Sequence, residues 1–206
     1  MRPILIFLVI AGAGIITWLV VARPNTSETV DSAKPQAISV SKHSQPFNEQ
    51  ISVTLDNYNK LTEHFVNWDS AGAAMATNAL ITNLEKTALD ELNNDSIIYL
   101  TAQTFIENAK GDAQTIISEK GIRQQREAFH SLTDNLRQFL NTVQYDREKL
   151  YLQECPMAFD DTKPGQWLSR SDSIRNPYLG LHDPQYGRGM LHCGETKATI
   201  NHTGVK

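Results

Sequence analysis

Four stretches of the chain carry apolar residues at steps of three and four, and this spacing constrains the fold more than any other feature. Such a spacing places apolar side chains along one face of a helix. The apolar positions are, stretch by stretch, Ile51, Leu55, Tyr58, Leu61, Phe65 and Trp68; Ala73, Ala76, Leu80, Leu84, Ala88 and Leu92; Ile98, Ala102, Phe105, Ala109 and Ile116; and Ile122, Phe129, Leu132, Leu136, Phe139 and Val143. The sequence therefore predicts four helices.

The boundaries of these helices are marked by polar and glycine residues. The first helix is predicted over residues 48–68, and Asp69 with Ser70 offers a cap for the second. Residues 93–96 form a turn and cap, and Gly121 ends the third helix. Short connections are typical of antiparallel neighbours. We therefore predict an all-α fold, an antiparallel up-and-down helical bundle with an irregular C-terminal Cys/Met/His loop region.

The N-terminal segment indicates export. Residues 4–22 form an uncharged apolar run of nineteen residues, which is near the length that spans a membrane and longer than the apolar part of a usual signal peptide. Residues 1–23 are predicted to be a transmembrane anchor, with a cleaved signal as the alternative. Residues 24–46, rich in Ser, Thr, Pro and charge, are predicted to be a flexible linker in which His43 is solvated. Residues 47–206 form the exported domain.

Composition and missing motifs exclude several functions. The chain has 19 Lys and Arg residues against 23 Asp and Glu, a formal charge of −4, and no long basic run; nucleic acid is therefore not expected as a partner. The sequence contains no C-x-x-C pair, no G-x-S-x-G and no glycine-rich phosphate loop. His64 and His130 form no helical metal-binding pair and are predicted to be surface or boundary residues. We therefore expect a protein that is not an enzyme.

The soft donors of the chain are concentrated near its C-terminus. Cys155 and Cys193 each have a methionine two or three residues away, Met157 and Met190, and His192 directly precedes the second cysteine. Thiolate and thioether ligands select soft ions, Cu(I) first. The sequence thus predicts a Cu(I) site of these four sulfur donors, with His192 as a fifth. Because adjacent residues of an extended segment point in opposite directions, His192 and Cys193 are not expected to bind one ion together.

A disulfide between Cys155 and Cys193 is the competing interpretation. It is natural in an oxidising exported compartment, and the chain-entropy model gives a stabilisation of about 4 kcal/mol for a loop of this length. The methionines would then fill the core. Spacing alone leaves both interpretations open. In either, Pro156 is predicted to present its neighbours on a rigid turn outside regular structure.

The C-terminal motifs resemble a known family, a domain of unknown function found in exported proteins and at the C-terminal end of periplasmic adaptor subunits of heavy-metal efflux systems. The resemblance runs from about residue 51 to residue 199. Its helical part is matched loosely, by the helix of Tyr58 and Leu61, the alanine-rich second helix, and Gln125-Arg126 with Phe129 and Leu132. Its last part is matched closely, by four blocks in order: Cys155-Pro156-Met157-Ala158, Trp167-Leu168-Ser169, Ile174 with Asn176-Pro177-Tyr178 and Gly180, and Met190-Leu191 with Cys193-Gly194.

This resemblance implies a periplasmic, largely helical domain that handles copper or a related metal. The expected function is a periplasmic binding module for Cu(I) or another soft heavy-metal ion, with an efflux adaptor as partner. The domain would be anchored in the inner membrane and face the periplasm, or be released there if the N-terminal segment is cleaved. The alternative is a disulfide-stapled interaction domain that docks on an envelope protein without metal.

Overall fold

The computed structural model describes residues 41–159 and 162–204. The predicted membrane anchor and most of the predicted linker therefore lie outside the described residues. Within the two described ranges, no helix is long and apolar enough to cross a membrane.

Four α-helices follow one another along the chain, as the apolar spacing predicted. They are α1 (Gln45–Val66), α2 (Ser70–Glu85), α3 (Ser96–Ser118) and α4 (Ile122–Thr142), with a short 3-10 turn at Asp90–Leu92 between α2 and α3. The apolar face of α1 is buried over its whole length. The prediction of four helices is confirmed.

Two helix boundaries differ from the prediction. α1 begins at Gln45, because the Ser44 side chain caps its first turn by accepting a hydrogen bond from the Phe47 amide. α2 ends at Glu85 rather than near Leu92. The segment after α2 is instead held by the N-terminal residues, since the Glu91 carboxylate contacts the His43 ring at 2.7 Å and accepts a hydrogen bond from the Ser44 hydroxyl.

His43 is part of the folded domain. Its ring also lies 2.6 Å from the carbonyl oxygen of Val143, just after α4, and its side chain is only 9% exposed. The two residues before it, Ser41 and Lys42, donate hydrogen bonds to the carboxylate of Asp146. The prediction that His43 is a solvated linker residue is therefore wrong, because capping and charge pairing tie this segment to the domain.

Helices α1 and α4 run antiparallel and share an aromatic core. Tyr58 of α1 stacks on Phe129 of α4 with ring centroids 5.2 Å apart, and its hydroxyl lies 2.7 Å from the Thr133 hydroxyl. Two turns further along α1, the Phe65 carbonyl accepts a hydrogen bond from Arg126 of α4 at 2.8 Å. Consecutive helices also pack on one another.

A three-stranded antiparallel sheet follows the helices. Its strands are β1 (Leu150–Phe159), β2 (Lys163–Ser169) and β3 (Glu195–Ile200), in the order β2-β1-β3. The prediction of an all-α fold with an irregular C-terminal region is therefore wrong, and the fold is mixed. Strand β3 escaped the pattern because it is exposed at all but its last residue, so it lacks the apolar alternation by which strands are recognised.

Pro156 lies inside β1 rather than on a separate turn. The register of β1 with β2 shifts between Cys155 and Phe159, and β3 pairs with β1 only as far as Glu154. A proline is tolerated at such an irregularity because it has no amide hydrogen to give to a regular ladder. The predicted turn is thus wrong, although the departure from a regular ladder at Pro156 is real.

The edge strand β2 attaches the sheet to the bundle. The amide of Leu168 donates a hydrogen bond to the Tyr58 hydroxyl at 3.1 Å, and the amide of Gln166 donates one to the ring of His130 at 3.1 Å. Trp167 is buried with Leu168 in the shared core. The sheet edge is therefore covered by helix side chains, which protects its free amide groups from competing pairings.

The loop between β2 and β3 is tied to the corner between α1 and α2. The Trp68 indole donates to the Leu179 carbonyl at 2.8 Å, and the Leu181 amide donates to the Val66 carbonyl at 2.8 Å. Gly180 between them has φ +58°, and a Cβ there would lie 2.3 Å from the Val66 oxygen. Glycine is required at this position because both the backbone conformation and the available space exclude a side chain.

Candidate metal centre

The two cysteines meet at the junction of the sheet and the C-terminal loop. Both are free thiols, and their Sγ atoms are 3.4 Å apart. The pairing of Glu154 with Glu195 explains this proximity, since it brings the residue after Glu154 beside the residues that lead into β3. Cys155 is fully buried, whereas Cys193 is half-buried. The pair is therefore reached from solvent through Cys193.

Asn176 holds the loop that carries Cys193. Its side-chain amide donates to the Cys193 carbonyl at 3.0 Å, and its side-chain oxygen accepts from the amides of Tyr178 and Leu179 at 2.8 and 3.2 Å. Its own backbone amide donates to the Leu191 carbonyl at 2.8 Å. Asn176 has no exposed surface, and the two bonds from the Tyr178 and Leu179 amides are buried. The side chain, with Pro177 following it, fixes the turn and the second cysteine together.

Gly194 and Tyr178 complete the surroundings of the thiol pair. Gly194 has φ +140°, and a Cβ there would lie 2.7 Å from the Glu154 oxygen, so only glycine lets Cys193 approach β1 this closely. The buried Tyr178 hydroxyl donates to the Gln166 carbonyl at 2.5 Å, and the Tyr178 ring packs near Trp167 at a centroid distance of 6.1 Å. The sequence motifs thus converge on one structural region.

The Cys155 thiol is held in its protonated form. Burial, with a smaller contribution from the neighbouring Cys193, raises its pKa to about 12, although the Met157 amide and the Asn176 side chain act in the opposite direction. Removing the proton would leave an uncompensated charge in a buried site. A cation bound between the sulfurs would supply that compensation, because metal ligation favours the thiolate.

The other predicted donors differ in their exposure. Met157 and Met190 are partly buried and pack against the core. Met190 shares a turn with Cys193, whose amide donates to the Met190 carbonyl at 3.0 Å. His192 is exposed, and its Nδ1 lies 2.8 Å from the Ile174 carbonyl oxygen. In the described part of the chain, no group of three or more His, Cys, Asp or Glu side chains is placed to hold a metal ion.

The sulfur separation is that of two unbonded thiols in contact. The Sγ atoms lie 3.4 Å apart, whereas the bonded sulfurs of a disulfide are about 2.05 Å apart. A structural zinc site needs four protein ligands, and thiolate ligands suit soft ions, of which Cu(I) is one.

Sequence reasoning missed a second group of polar and aromatic residues, beside the sheet. Arg126 belongs to the apolar face of α4 between Ile122 and Phe129, and it is 4% exposed. Its position in the sequence could have revealed it, because an arginine three residues before a core phenylalanine interrupts the apolar stripe. Its guanidinium lies over the Trp68 ring, 4.2 Å from the ring centroid.

Comparison with known proteins gives a match for the helical part of the chain alone. No curated protein and no solved structure gives a significant match. The C-terminal motifs, including both cysteines, follow the segment that a family model does match. That segment, residues 54–148, matches the model of the family described as "Protein of unknown function (DUF3347)", so the helical part of the chain is similar to a domain of unknown function.

Proposed function

We propose that this chain is a periplasmic module that binds Cu(I), or another soft heavy-metal ion, between Cys155 and Cys193. The observation that carries the proposal is the pair of free thiols with sulfurs 3.4 Å apart at a half-buried site. Soft sulfur ligands favour Cu(I) over harder ions. The role is binding rather than catalysis.

Binding would be coupled to loss of the thiol protons. In the metal-free protein, burial keeps the pKa of Cys155 at about 12, so the ion displaces a proton that the site otherwise retains. Asn176 and Gly194 hold the backbone around Cys193 in place before the ion arrives. Such preorganisation lowers the entropic cost of binding. Cys193, as the more exposed thiol, would receive the ion first.

The proposed role is in metal efflux or homeostasis. Residues 1–23 have the length and apolar composition of a membrane anchor, which would hold the domain at the periplasmic face of the inner membrane, or release it if cleaved. The C-terminal motifs resemble those of domains attached to heavy-metal efflux adaptors. The chain would therefore scavenge the ion and pass it to such an adaptor.

A second candidate function is a disulfide-stapled interaction domain without metal. The two thiols are close enough that a modest sulfur movement would join them, and the bond would close a loop between residues 38 apart in sequence. The surface offers apolar side chains for a partner, since Met75, Ile97 and Leu100 are 69%, 76% and 58% exposed. In this alternative, these residues would dock on an envelope protein.

A Cu(I) titration of the full chain against a chromophoric chelator separates the two functions. The reduced chain is expected to bind one equivalent tightly, and oxidation to a disulfide is expected to abolish binding. Cys155→Ser and Cys193→Ser should each lose the site. His192→Ala should keep it, because that ring contacts the Ile174 carbonyl rather than the thiols. If the reduced chain cannot compete with the chelator, metal binding is rejected and the disulfide-stapled interaction domain remains.

A further inference from the structure

A cavity separate from the thiol pair lies where the start of α4, the end of β1 and the loop after Tyr178 meet. Its volume is about 360 Å³, which is in the size range of small-molecule sites. Its walls are largely aromatic and aliphatic, with Trp68, Phe159 and Tyr178 among them, and Arg126 also lines it. A small molecule with an apolar body would fit such walls.

Arg126 brings an incompletely satisfied positive charge to this cavity. Its Nη2 donates to the Phe65 carbonyl at 2.8 Å, but its buried Nε has no hydrogen-bond partner among the residues that the structure describes. Burial lowers the pKa of Arg126 to about 9, so the group is still charged at neutral pH. Keeping a buried cationic donor without an acceptor is costly. A negative charge that enters the cavity, which Arg126 lines, would offset part of this cost.

The charges on the cavity wall favour an anion. Arg123 and Arg126 both line it, against a single carboxylate from Asp183. Arg123 is half-exposed and lies 3.5 Å from Glu127, whereas Arg126 is buried. Asp183 already accepts hydrogen bonds from the amides of the second and third residues after it, and its charge raises the pKa of Arg126. The lining thus carries two guanidinium groups against one carboxylate, and the carboxylate that pairs with Arg123 lies outside the lining.

Trp68 is held in a strained conformation at this cavity. It has φ +58° at the C-terminal end of α1, a left-handed position that glycine usually occupies. The Trp68 amide donates to the Phe65 carbonyl, and the next amide donates to the His64 carbonyl. Its indole is fixed by the hydrogen bond to Leu179 and by the Arg126 guanidinium above it. The residue with the strained backbone is therefore the one whose indole forms a rigid wall beside Arg126.

We propose that this cavity binds a small carboxylate that bears an aromatic or aliphatic group. The carboxylate faces the charge of the Arg126 guanidinium, while the apolar group contacts Phe159 and Tyr178. Neither cysteine lines the cavity, although Met157, one of the predicted sulfur donors, does.

Isothermal titration calorimetry of the full chain with phenylacetate tests the proposal. Phenylacetamide, which has the same shape and no charge, and acetate, which lacks the ring, are the matched ligands. A charge-assisted hydrogen bond to a buried arginine should give phenylacetate a preference of about 10-fold or more over phenylacetamide. Acetate should bind more weakly than phenylacetate because it leaves the apolar walls unfilled. Equal affinity for acid and amide, or heat from neither, would overturn the proposal.

Two variants locate the binding site. Asp183→Asn should strengthen phenylacetate binding about 3-fold or more, because it removes a like charge and keeps an oxygen for the two loop amides. Arg126→Met should lose the preference for the acid. Arg137→Gln, on α4 but paired with Asp134 outside the cavity, is the control and should change nothing. Unchanged affinity in Asp183→Asn would reject the site even if Arg126→Met fails to fold.

Discussion

Asn176 is the residue on which the geometry of the thiol pair most depends. Its side chain makes three hydrogen bonds of 3.2 Å or less, one to the Cys193 carbonyl and two from the amides of Tyr178 and Leu179. Asn176→Ala removes all three and leaves buried groups without partners. At about 1 kcal/mol for each bond, the free energy of unfolding should fall by about 3 kcal/mol. Unsatisfied groups that stay buried would increase this loss.

Urea unfolding of the reduced full chain measures this loss, with reductant present so that a disulfide does not hide it. The midpoint should fall while the dependence on urea stays constant. The corresponding thermal shift is about 6 to 12 °C for a protein of this size. Loosening the Cys193 turn should also weaken Cu(I) binding, because the second thiol is no longer held toward Cys155.

Asn135→Ala provides the control for this substitution. Asn135 is half-buried on α4 and donates to Asp112 at 2.7 Å and to the Ser131 carbonyl at 3.2 Å, where water can replace it. Its loss should cost about 1 kcal/mol or less. If Asn176→Ala destabilised the protein no more than Asn135→Ala does, the view of Asn176 as the buried clamp of this loop would be refuted.

Three further predictions concern the fold and the thiol. Gly187→Ala should cost roughly 1–2 kcal/mol in a urea melt, the strain of a left-handed residue. Gly180→Ala should cost more, because only the Cβ at position 180 would meet a backbone oxygen of α1. Equal losses of stability in the two variants would contradict this steric reason. Tyr58→Phe should cost about 1–3 kcal/mol in the same assay, because the Leu168 amide of β2 loses its buried acceptor. Tyr99→Phe is the control and should be near neutral, because the Tyr99 hydroxyl makes no hydrogen bond within the described residues. Burial raises the pKa of Cys155 from 9.0 to about 12. As the pH rises above about 9, the thiol therefore loses its proton in the unfolded chain before it does in the folded one, and the free energy of unfolding should fall. In reductant, this free energy should fall less steeply with pH in Cys155→Ser, and an identical pH profile would refute this contribution.

The helices were predictable because their burial is periodic. The apolar face of α1 and that of α4 each follow the helical repeat, and those positions are buried. The end of α2 was less predictable, because the segment after it is fixed by Glu91 contacting His43, a residue 48 positions earlier. Such contacts between distant residues leave no periodic pattern in the sequence.

The sheet was missed for a different reason. β1 carries a proline at an irregular position, and β3 has almost no buried side chain, so neither strand shows the alternation that identifies a half-buried strand. The paired backbones nevertheless determine where Cys155 and Cys193 lie. The sequence indicated that soft donors are abundant near the C-terminus, but only the register of β1 with β3 explains why two of them meet.

X-ray absorption at the copper edge of the Cu(I)-loaded full chain tests the thiol site most directly. A site between Cys155 and Cys193 predicts a first shell of sulfur at about 2.3 Å. Cys193→Ser should lose the metal or replace one sulfur with a lighter atom. A first shell of nitrogen and oxygen that is unchanged in Cys193→Ser would contradict the proposal that the two thiols hold the ion.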